Sequence, residues 1–286
     1  MVGLVRPWNC ILAGLAVLVG VFIAGKTFHF NGELVGIDWT FYEFVRAALA
    51  FAAAALITGA GNTINDYFDR RIDKVNRPDR PIPSGRIKAP EALTISQTLF
   101  IVGIFLTVFV NVACVLLAAL NSLMLAFYAA GLKRRGFAGN LVIGYLVGST
   151  FLFGGLVIGE IQAAGILAAM AALSTVGREL VKGIEDMRGD RASGLSTFPV
   201  RYGARKAAAL AAAFIAAAIV LAPLPRILDI FGPVYLWVVT ASIIAFVWSA
   251  ALILKSQKPK AAGSASLGCK IAMGLGMLAF LAGAVA

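Results

Sequence analysis

Two acidic clusters, each at the end of a long apolar stretch, are the parts of this chain whose residue types and spacing suit chemistry. The first follows the apolar run 51–58 and consists of Asn62, Asn65, Asp66, Asp69 and Asp73. If a helix continues through it, about 100° per residue places all five within an arc of about 100°. One interpretation is a solvated helix end. The other is a divalent cation held by oxygen ligands, because each carboxylate at membrane depth costs about 2.5–3.5 kcal/mol on insertion scales.

The second cluster, within residues 178–190, repeats this arrangement. Its charged side chains within about 80° of each other on a helical wheel are Glu179, Lys182, Asp186 and Asp190. In both clusters two aspartates stand four residues apart, Asp69 with Asp73 and Asp186 with Asp190. Two such pairs at matching membrane depth predict a metal site with ligands from two helices.

Basic side chains flank both clusters. The cations that we expect at the mouth of one shared cavity are Arg77, Arg80, Lys133, Arg134, Lys182 and Arg201. Acids that hold a metal, surrounded by lysine and arginine, suit a ligand that is itself polyanionic, and a diphosphate bridged to Mg²⁺ fits best. The adjoining segments are apolar. An isoprenyl diphosphate, with a diphosphate head and a hydrocarbon tail, satisfies both surroundings.

The predicted ligand implies a reaction. Mg²⁺ and the basic side chains would neutralise charge on the departing diphosphate, so that the allylic C–O bond ionises and an acceptor captures the carbocation. Tyr128 could offer a π-face to that cation, although an aromatic ring in a membrane helix more often serves packing. Aromatic side chains available to line two lipid tails are Phe100, Phe105, Phe109, Phe151 and Phe153. Few polar side chains near the clusters could orient an aromatic acceptor, which favours a lipid acceptor.

Membrane-spanning helices must position these residues. The chain has 286 residues, 60% of them hydrophobic, and a mean hydropathy of +0.89, as is typical of polytopic membrane proteins. The apolar runs predict helices near 8–28, 41–66, 90–111, 114–131, 138–157, 161–182, 205–222, 233–254 and 265–285. We therefore predict an all-α polytopic fold of about nine transmembrane helices, forming one domain over residues 1–286.

The net charge of +11 is concentrated on alternate loops. Of the 25 Lys and Arg residues, 22 fall on one side of the predicted helices and three, Lys26, Arg46 and Arg226, on the other. The main basic segments are 67–88, 133–135, 178–206 and 255–260. This distribution places the clusters on the cytoplasmic side of the cell membrane and argues against a nucleic-acid partner. The single histidine, His29, is remote from both clusters.

Two connections exceed a simple turn, and each follows an acidic cluster. The Pro-rich segment 77–86 cannot continue a helix and should form a defined cytoplasmic lid loop, and segment 192–203 has the same place after the second cluster. Each cluster ends the second helix of a pair, and the two cluster helices are four helices apart in the chain. This placement favours duplicated four-helix halves that carry metal motifs at 62–73 and 179–190.

On these motifs the chain resembles the UbiA superfamily of intramembrane prenyltransferases over nearly its whole length. Asn65-x-x-x-Asp69-x-x-x-Asp73 matches the first motif of the superfamily, and Asp186-x-x-x-Asp190 matches the second. The resemblance implies nine helices around a central cavity and two Mg²⁺ ions that grip the diphosphate of a prenyl donor.

The resemblance also implies roles for single residues. The implied metal ligands are Asn65 and Asp69 for one ion, Asp186 and Asp190 for the other, and Asp66 and Asp73 through water or the diphosphate. The residues expected to act in catalysis are Asp69, Asp73, Asp186, Asp190 and Lys133. Tyr128 and Lys133 match a Tyr…Lys element before the fifth helix, and Lys182 takes the place of a diphosphate-binding lysine. Arg77 and Arg80 join them at the diphosphate, whereas many members carry Asp where this chain has Gly183.

Three further segments are most similar to the archaeal branch that makes ether lipids. They are Arg6-Pro-x-Asn9-Cys, the lid from Asn76 to Gly85, and Gly189 to Pro199. That branch moves a geranylgeranyl group from its diphosphate to the hydroxyl of geranylgeranylglyceryl phosphate, so Asn9 and Asn62 are expected to contact the acceptor or lipid. An aromatic acceptor, as in quinone synthesis, is the alternative. A cation transporter is the competing class, although acids at helix ends among basic loops favour an enzyme.

Overall fold

A computed structural model describes the chain over most of its length. The described residues are 2–27, 29–30, 33–34, 40–134, 136–192 and 194–286. Phe28, the predicted end of the first helix, and Arg135, one of the cations of segment 133–135, lie outside them.

The described chain is almost entirely helical. Its helices are α1 Val2–Val5, α2 Pro7–Lys26, α3 Phe41–Asn76, α4 Ala89–Val108, α5 Val112–Ala130, α6 Phe137–Ile158, α7 Gln162–Ala192, α8 Phe198–Tyr202, α9 Ala204–Leu221, α10 Leu224–Ile227, α11 Pro233–Lys255 and α12 Pro259–Val285. Within the described ranges, nine of them are long and apolar enough to span a membrane, namely α2–α7, α9, α11 and α12. The predicted all-α fold of nine spans is confirmed. A pair of two-residue strands, His29–Phe30 with Glu33–Leu34, interrupts the helices after α2.

The two helices that carry the acidic clusters are longer than their apolar runs. The runs predict ends at residues 66 and 182, but α3 continues to Asn76 and α7 to Ala192. Hydrophobicity marks where the bilayer ends, not where the backbone stops being helical. Both acidic clusters therefore lie on continuous helix, and their side chains keep the helical spacing.

Close packing of α2 against α6 places these helices between the two cluster helices. A Cβ added at Gly20 of α2 would overlap the backbone of Phe151, and one added at Gly154 of α6 would overlap the backbone of Val17. Glycine at both positions allows the two backbones to touch. Because α2 and α6 each pack against both α3 and α7, this contact fixes the spacing of the two acidic motifs.

Local caps hold helix ends at both ends of the bundle. Lys88 begins α4 with a capping box, in which its backbone N–H donates to Glu91 Oε2 at 3.0 Å. Asn111 begins α5 by accepting from the backbone N–H of Cys114 at 2.8 Å. The Asn111 amide also donates to the Leu156 carbonyl at 2.7 Å, which ties α5 to α6. These contacts fix where α4 and α5 begin.

Candidate active site

A cavity of about 510 Å³ lies among α2, α3, α5 and α6 and opens beside the first acidic cluster. Its polar lining residues are Asn9, Thr58, Asn62, Asn65, Asn121, Tyr128 and Thr150. The remaining lining is aliphatic or aromatic and includes Phe151 and Phe153. From Ala54 to Asn65 along α3 the lining spans eleven residues, which at 1.5 Å per residue is about 16 Å of depth. The cavity therefore offers an apolar interior beneath a polar mouth.

The side chains of the first cluster form one stripe along α3, which we call the acidic stripe: Asn62, Asn65, Asp66, Asp69 and Asp73. Its two edges have different partners. On one edge, Arg6 Nη2 donates to Asp66 Oδ1 at 2.5 Å. Arg80 Nη1 donates to the same oxygen at 3.0 Å and to Asp73 Oδ2 at 2.6 Å. The lid loop thus folds back onto α3, and the Arg80 guanidinium bridges the carboxylates of Asp66 and Asp73, which are two helical turns apart.

The opposite edge faces the short connection between α5 and α6. Lys133, in the turn of 3₁₀ helix Leu132–Arg134, directs its ammonium to Asp69 Oδ2 at 2.6 Å and to Asn65 Oδ1 at 3.5 Å. The amide and the carboxylate oxygens therefore converge on one cation. Asn65 also lines the cavity, so this edge is where the cavity meets the acidic stripe.

Charge balance explains how α3 carries three carboxylates into a packed region. Asp66, Asp69 and Asp73 are 3%, 8% and 6% exposed. The described ion pairs to them come from Arg6, Arg80 and Lys133. A buried carboxylate without a partner is strongly unfavourable, so these contacts are a condition for the stripe to be buried at all.

The second motif is more open. Asp186 and Lys182 are exposed on α7, and Asp190 is half-buried and accepts from the Thr197 hydroxyl at 3.1 Å. One turn deeper, Arg178 Nη1 donates to Glu179 Oε1 at 2.7 Å. The lining of the cavity comes from α2, α3, α5 and α6, so the structure brings the first motif to the cavity more closely than the second.

The other predicted site residues divide between the cavity and the lid. Asn9, Asn62 and Tyr128 all line the cavity, and the Asn62 amide also donates to the Val5 carbonyl at 2.9 Å. Arg77 is exposed and lines a separate pocket at the lid, together with Arg80.

The oxygen ligands fit a hard cation, although the described side chains do not gather into a ready metal centre. Among the residues that the structure describes, no three His, Cys, Asp or Glu side chains lie close enough together to hold an ion by themselves. Asn65 and Asp69, however, already direct two oxygens at one positive charge. Carboxylate and amide oxygens are ligands that Mg²⁺ accepts, and it takes its other ligands from water and phosphate.

Two site residues were not predicted from the sequence. In the sequence, Arg6 is one of the 22 Lys and Arg residues on the more basic side of the predicted helices. In the structure it contacts Asp66 directly. Asn121 lies inside a long apolar run, and its amide donates to the Ser149 hydroxyl at 3.0 Å within the cavity wall. A single polar residue in the middle of an apolar helix is the signal that would have revealed Asn121.

Two expectations about the cavity lining need correction. Phe105 and Phe109 lie on the outer surface of the bundle, where they are 56% exposed and pack edge to face, so they do not line the cavity. Thr58 and Asn121 make the lining richer in polar groups than the sequence suggested. Scarcity of polar side chains therefore does not argue against an aromatic acceptor.

Gly183, which departs from the superfamily motif, has a packing reason in this chain. A Cβ at this position would lie 3.1 Å from Pro199 Cγ of α8. The short helix α8 packs directly on α7 there, so a larger side chain would displace it.

Within the described residues, nine helices can span a membrane, and the mouth of an apolar cavity adjoins the acidic residues of α3. These features fit an intramembrane prenyltransferase. The chain belongs to the UbiA prenyltransferase family, whose model matches residues 13–281. It is thus an enzyme that transfers prenyl groups, and a multi-pass membrane protein.

Similar proteins are found among curated sequences and solved structures. Digeranylgeranylglyceryl phosphate synthase of Methanosarcina mazei is 42% identical over 98% of this chain and 96% of its own length. A solved structure of a digeranylgeranylglyceryl phosphate synthase has a TM-score of 0.88 and 38% identity, and the match covers 99% of this chain and 97% of the other. A UbiA homolog from Archaeoglobus fulgidus bound to GPP and Mg²⁺ shares the fold, with a TM-score of 0.69 and 16% identity over 98% of this chain and 99% of its own.

Proposed function

We propose that this enzyme transfers a geranylgeranyl group from geranylgeranyl diphosphate to the hydroxyl of geranylgeranylglyceryl phosphate in archaeal ether lipid synthesis. The observation that carries the proposal is the position of Asn65, which belongs both to the lining of the apolar cavity and to the acidic stripe. The prenyl chain and its diphosphate can therefore occupy one continuous site. Relatives of this length and identity that carry the synthase name support the choice of substrates.

The donor diphosphate binds at the edge of α3 that faces Lys133. Asn65 and Asp69 would hold one Mg²⁺ ion there, and Asp186 and Asp190 of α7 a second, with Lys182 on the diphosphate. Mg²⁺, when bound, withdraws charge from the leaving diphosphate as a Lewis acid. The fold neighbour that contains GPP and Mg²⁺ supports this metal.

The protein's own groups then have distinct tasks. Lys133 stabilises negative charge on the leaving diphosphate, and the apolar cavity excludes water that would capture the carbocation. Tyr128 lines the cavity near its mouth, where its ring can face the allylic cation. The acceptor hydroxyl attacks the allylic carbon and releases its proton to a nearby carboxylate or diphosphate oxygen. The products are a diether lipid phosphate and diphosphate.

An aromatic acceptor is the second candidate. The hydroxyl and amide groups of Thr58, Asn121 and Thr150 inside the cavity favour it, because they could orient a ring. The lipid acceptor remains the better choice, because a second C20 chain needs the apolar surface that dominates the lining.

We also propose that the site faces the cytoplasm. Of the 25 Lys and Arg residues, 22 lie on the side of the acidic motifs. One variant carries a cysteine in place of Ser84, and another carries a cysteine in place of exposed Asp229 at the opposite end of the helices. Labelling each cysteine with a membrane-impermeant reagent distinguishes the two orientations. Labelling of Ser84 from outside would contradict the assignment.

A direct assay tests the reaction. Purified protein in detergent receives geranylgeranyl diphosphate with geranylgeranylglyceryl phosphate or with a hydroxybenzoate, each with Mg²⁺ or with EDTA. We expect a diether lipid phosphate that forms with Mg²⁺ and is absent with EDTA. Prenylation of the aromatic acid with the glyceryl phosphate untouched would make the chain an aromatic prenyltransferase, and failure to release diphosphate under any condition would contradict prenyl transfer.

A further inference from the structure

The cations of segment 67–88 divide between different faces of the lid. Arg80 turns toward the carboxylates of α3, whereas Arg70, Arg71, Lys74 and Lys88 line a groove on the outer side. Arg77, Arg80 and Arg86 line a third space, which we call the lid pocket. It has a volume of about 510 Å³ and is lined by Gly3, Arg77, Pro78, Asp79, Arg80, Pro81, Arg86 and Ile87. Nothing in the site described above uses this pocket.

The lid pocket has an excess of guanidinium groups. Arg86 is exposed, and its Nε donates to the Ser84 hydroxyl at 3.0 Å while Nη2 donates to the Asp79 carbonyl. These neutral acceptors orient Arg86 without neutralising it. Within the part of the chain that the structure describes, neither Arg86 nor Arg77 forms an ion pair with a carboxylate. The pocket thus retains positive charge that suits an anion with several oxygens.

The loop that forms the pocket is fixed by its own backbone. The N–H of Ser84 donates to the Arg80 carbonyl at 3.0 Å, and the N–H of Ile87 donates to the Pro81 carbonyl at 3.1 Å. Gly85 adopts a φ of +78°, a left-handed conformation that permits this reversal. A loop closed in this way holds the arginines in place before any ligand arrives, which lowers the ordering entropy lost on binding.

The lid pocket adjoins the reaction site along the second edge of the α3 stripe. Arg80 belongs to the pocket lining and also contacts Asp66 and Asp73. The short helix α1 borders both spaces, since its Gly3 lines the pocket while its Val5 carbonyl accepts from Asn62 of the cavity. The donor edge with Lys133 is on the other side of the stripe, so the two anion sites are separate.

We propose that the lid pocket binds the phosphate monoester of the acceptor, with Arg77 and Arg86 as its specificity-determining residues. This inference rests on the proposed function. On a glycerol unit the phosphate and the reacting hydroxyl are at most two carbons apart, so an acceptor phosphate must sit beside the acidic stripe. The lid pocket meets that requirement, while the cavity receives the hydrocarbon chains. Arg77, which the sequence assigned to the donor diphosphate, instead serves the acceptor.

The experiment compares two acceptors that differ in the phosphate alone. Steady-state kinetics with saturating geranylgeranyl diphosphate use geranylgeranylglyceryl phosphate and its dephosphorylated form, geranylgeranylglycerol. We expect Arg86→Gln and Arg77→Gln to raise the KM for the phosphate acceptor about ten- to hundredfold, the loss that follows removal of a charge-assisted hydrogen bond. The KM for geranylgeranylglycerol should change less than about twofold.

Controls separate charge recognition from damage to the lid. Arg71→Gln removes an exposed cation from the outer face and should leave both acceptors unaffected. Arg77 is exposed and, among the described residues, makes no side-chain hydrogen bond. Arg77→Gln should therefore leave the loop intact, and it tests the inference even if Arg86→Gln disturbs the loop. Equal losses with both acceptors, or a raised KM for geranylgeranyl diphosphate, would overturn the inference alone. Failure of the unmodified enzyme to prenylate the glyceryl phosphate would overturn it together with the proposed function.

Discussion

The two acidic motifs share an Asp-x-x-x-Asp spacing but have opposite surroundings. On α3, the carboxylates of Asp66, Asp69 and Asp73 are buried and contacted by arginine or lysine. On α7, Asp186 is exposed and Asp190 accepts from a hydroxyl. Helical spacing decides which face a carboxylate occupies, and the elements packed nearby decide how much of its charge is already compensated.

This difference gives the motifs separate structural roles beside the role at the diphosphate that we propose for both. The α3 motif joins the lid, α1 and the α5–α6 connection to one helix, so it organises this end of the helix bundle. The α7 motif has few such contacts and remains available to a ligand. We therefore expect activity to depend on both motifs, and stability to depend mainly on α3.

The largest effect should be on catalysis, and it should be the same for both motifs. Asp69→Asn and Asp186→Asn each remove one charged ligand while keeping the side-chain shape. Each should lower kcat on the order of a thousandfold, because the proposed two-ion site would lose several kcal/mol of transition-state stabilisation. Asp229→Asn, an exposed carboxylate paired with Arg226 outside the motifs, is the matched control and should retain normal turnover. Normal turnover by Asp186→Asn would remove α7 from the metal site.

How much of this site the sequence could predict depends on the kind of contact. The stripe of Asn62, Asn65 and Asp69 follows from helical spacing, since that geometry is local. The nine spans follow from hydropathy for the same reason. The division of the stripe into two edges could not be predicted, because Arg80 and Lys133 reach it from loops whose path depends on turns and long-range packing. Arg6 was named in a segment similar to the archaeal branch but received no site role, because one arginine before a span has an ordinary topological explanation.

The second effect concerns stability and separates the motifs. Arg80→Met leaves Asp73 without its described partner and Asp66 with Arg6 alone. Removing one partner of a buried ion pair costs about 3–5 kcal/mol, and the partial exposure of Arg80 places this variant near the lower value. Asp186→Asn, on an exposed position, should change the free energy of unfolding by less than about 0.5 kcal/mol.

Thermal unfolding in detergent measures both variants. A clearly lowered Tm for Arg80→Met beside an unchanged Tm for Asp186→Asn is the expected pair of results. Equal Tm values would mean that the buried edge of α3 contributes no more to stability than the exposed face of α7.

The third effect distinguishes the two lysines. Lys182→Met on exposed α7 should weaken binding of geranylgeranyl diphosphate about tenfold and leave Tm unchanged, since a charge-assisted contact to phosphate is lost and no described ion pair is broken. Lys133→Met should weaken donor binding similarly and also lower Tm slightly, because Asp69 loses its contact at 2.6 Å. Isothermal titration with the donor and a Tm measurement report these quantities. A lowered Tm with unchanged donor binding for Lys182→Met would instead indicate a structural ion pair on α7.

The smallest effect tests whether the end of α7 is the more weakly held of the two motif helices. Gly189 lies between Asp186 and Asp190, and a Cβ there would meet nothing within 4 Å. Replacing glycine by alanine in an exposed helix stabilises it by up to about 1 kcal/mol, so Gly189→Ala should slow amide hydrogen exchange over residues 186–192 about fivefold if that segment opens locally. Gly183→Ala has the same helical advantage, but its Cβ would press on Pro199 at 3.1 Å, so its gain should be offset. Unchanged exchange in Gly189→Ala would mean that the end of α7 opens only with the whole bundle. The two motifs would then differ in how their charges are compensated, and not in local stability.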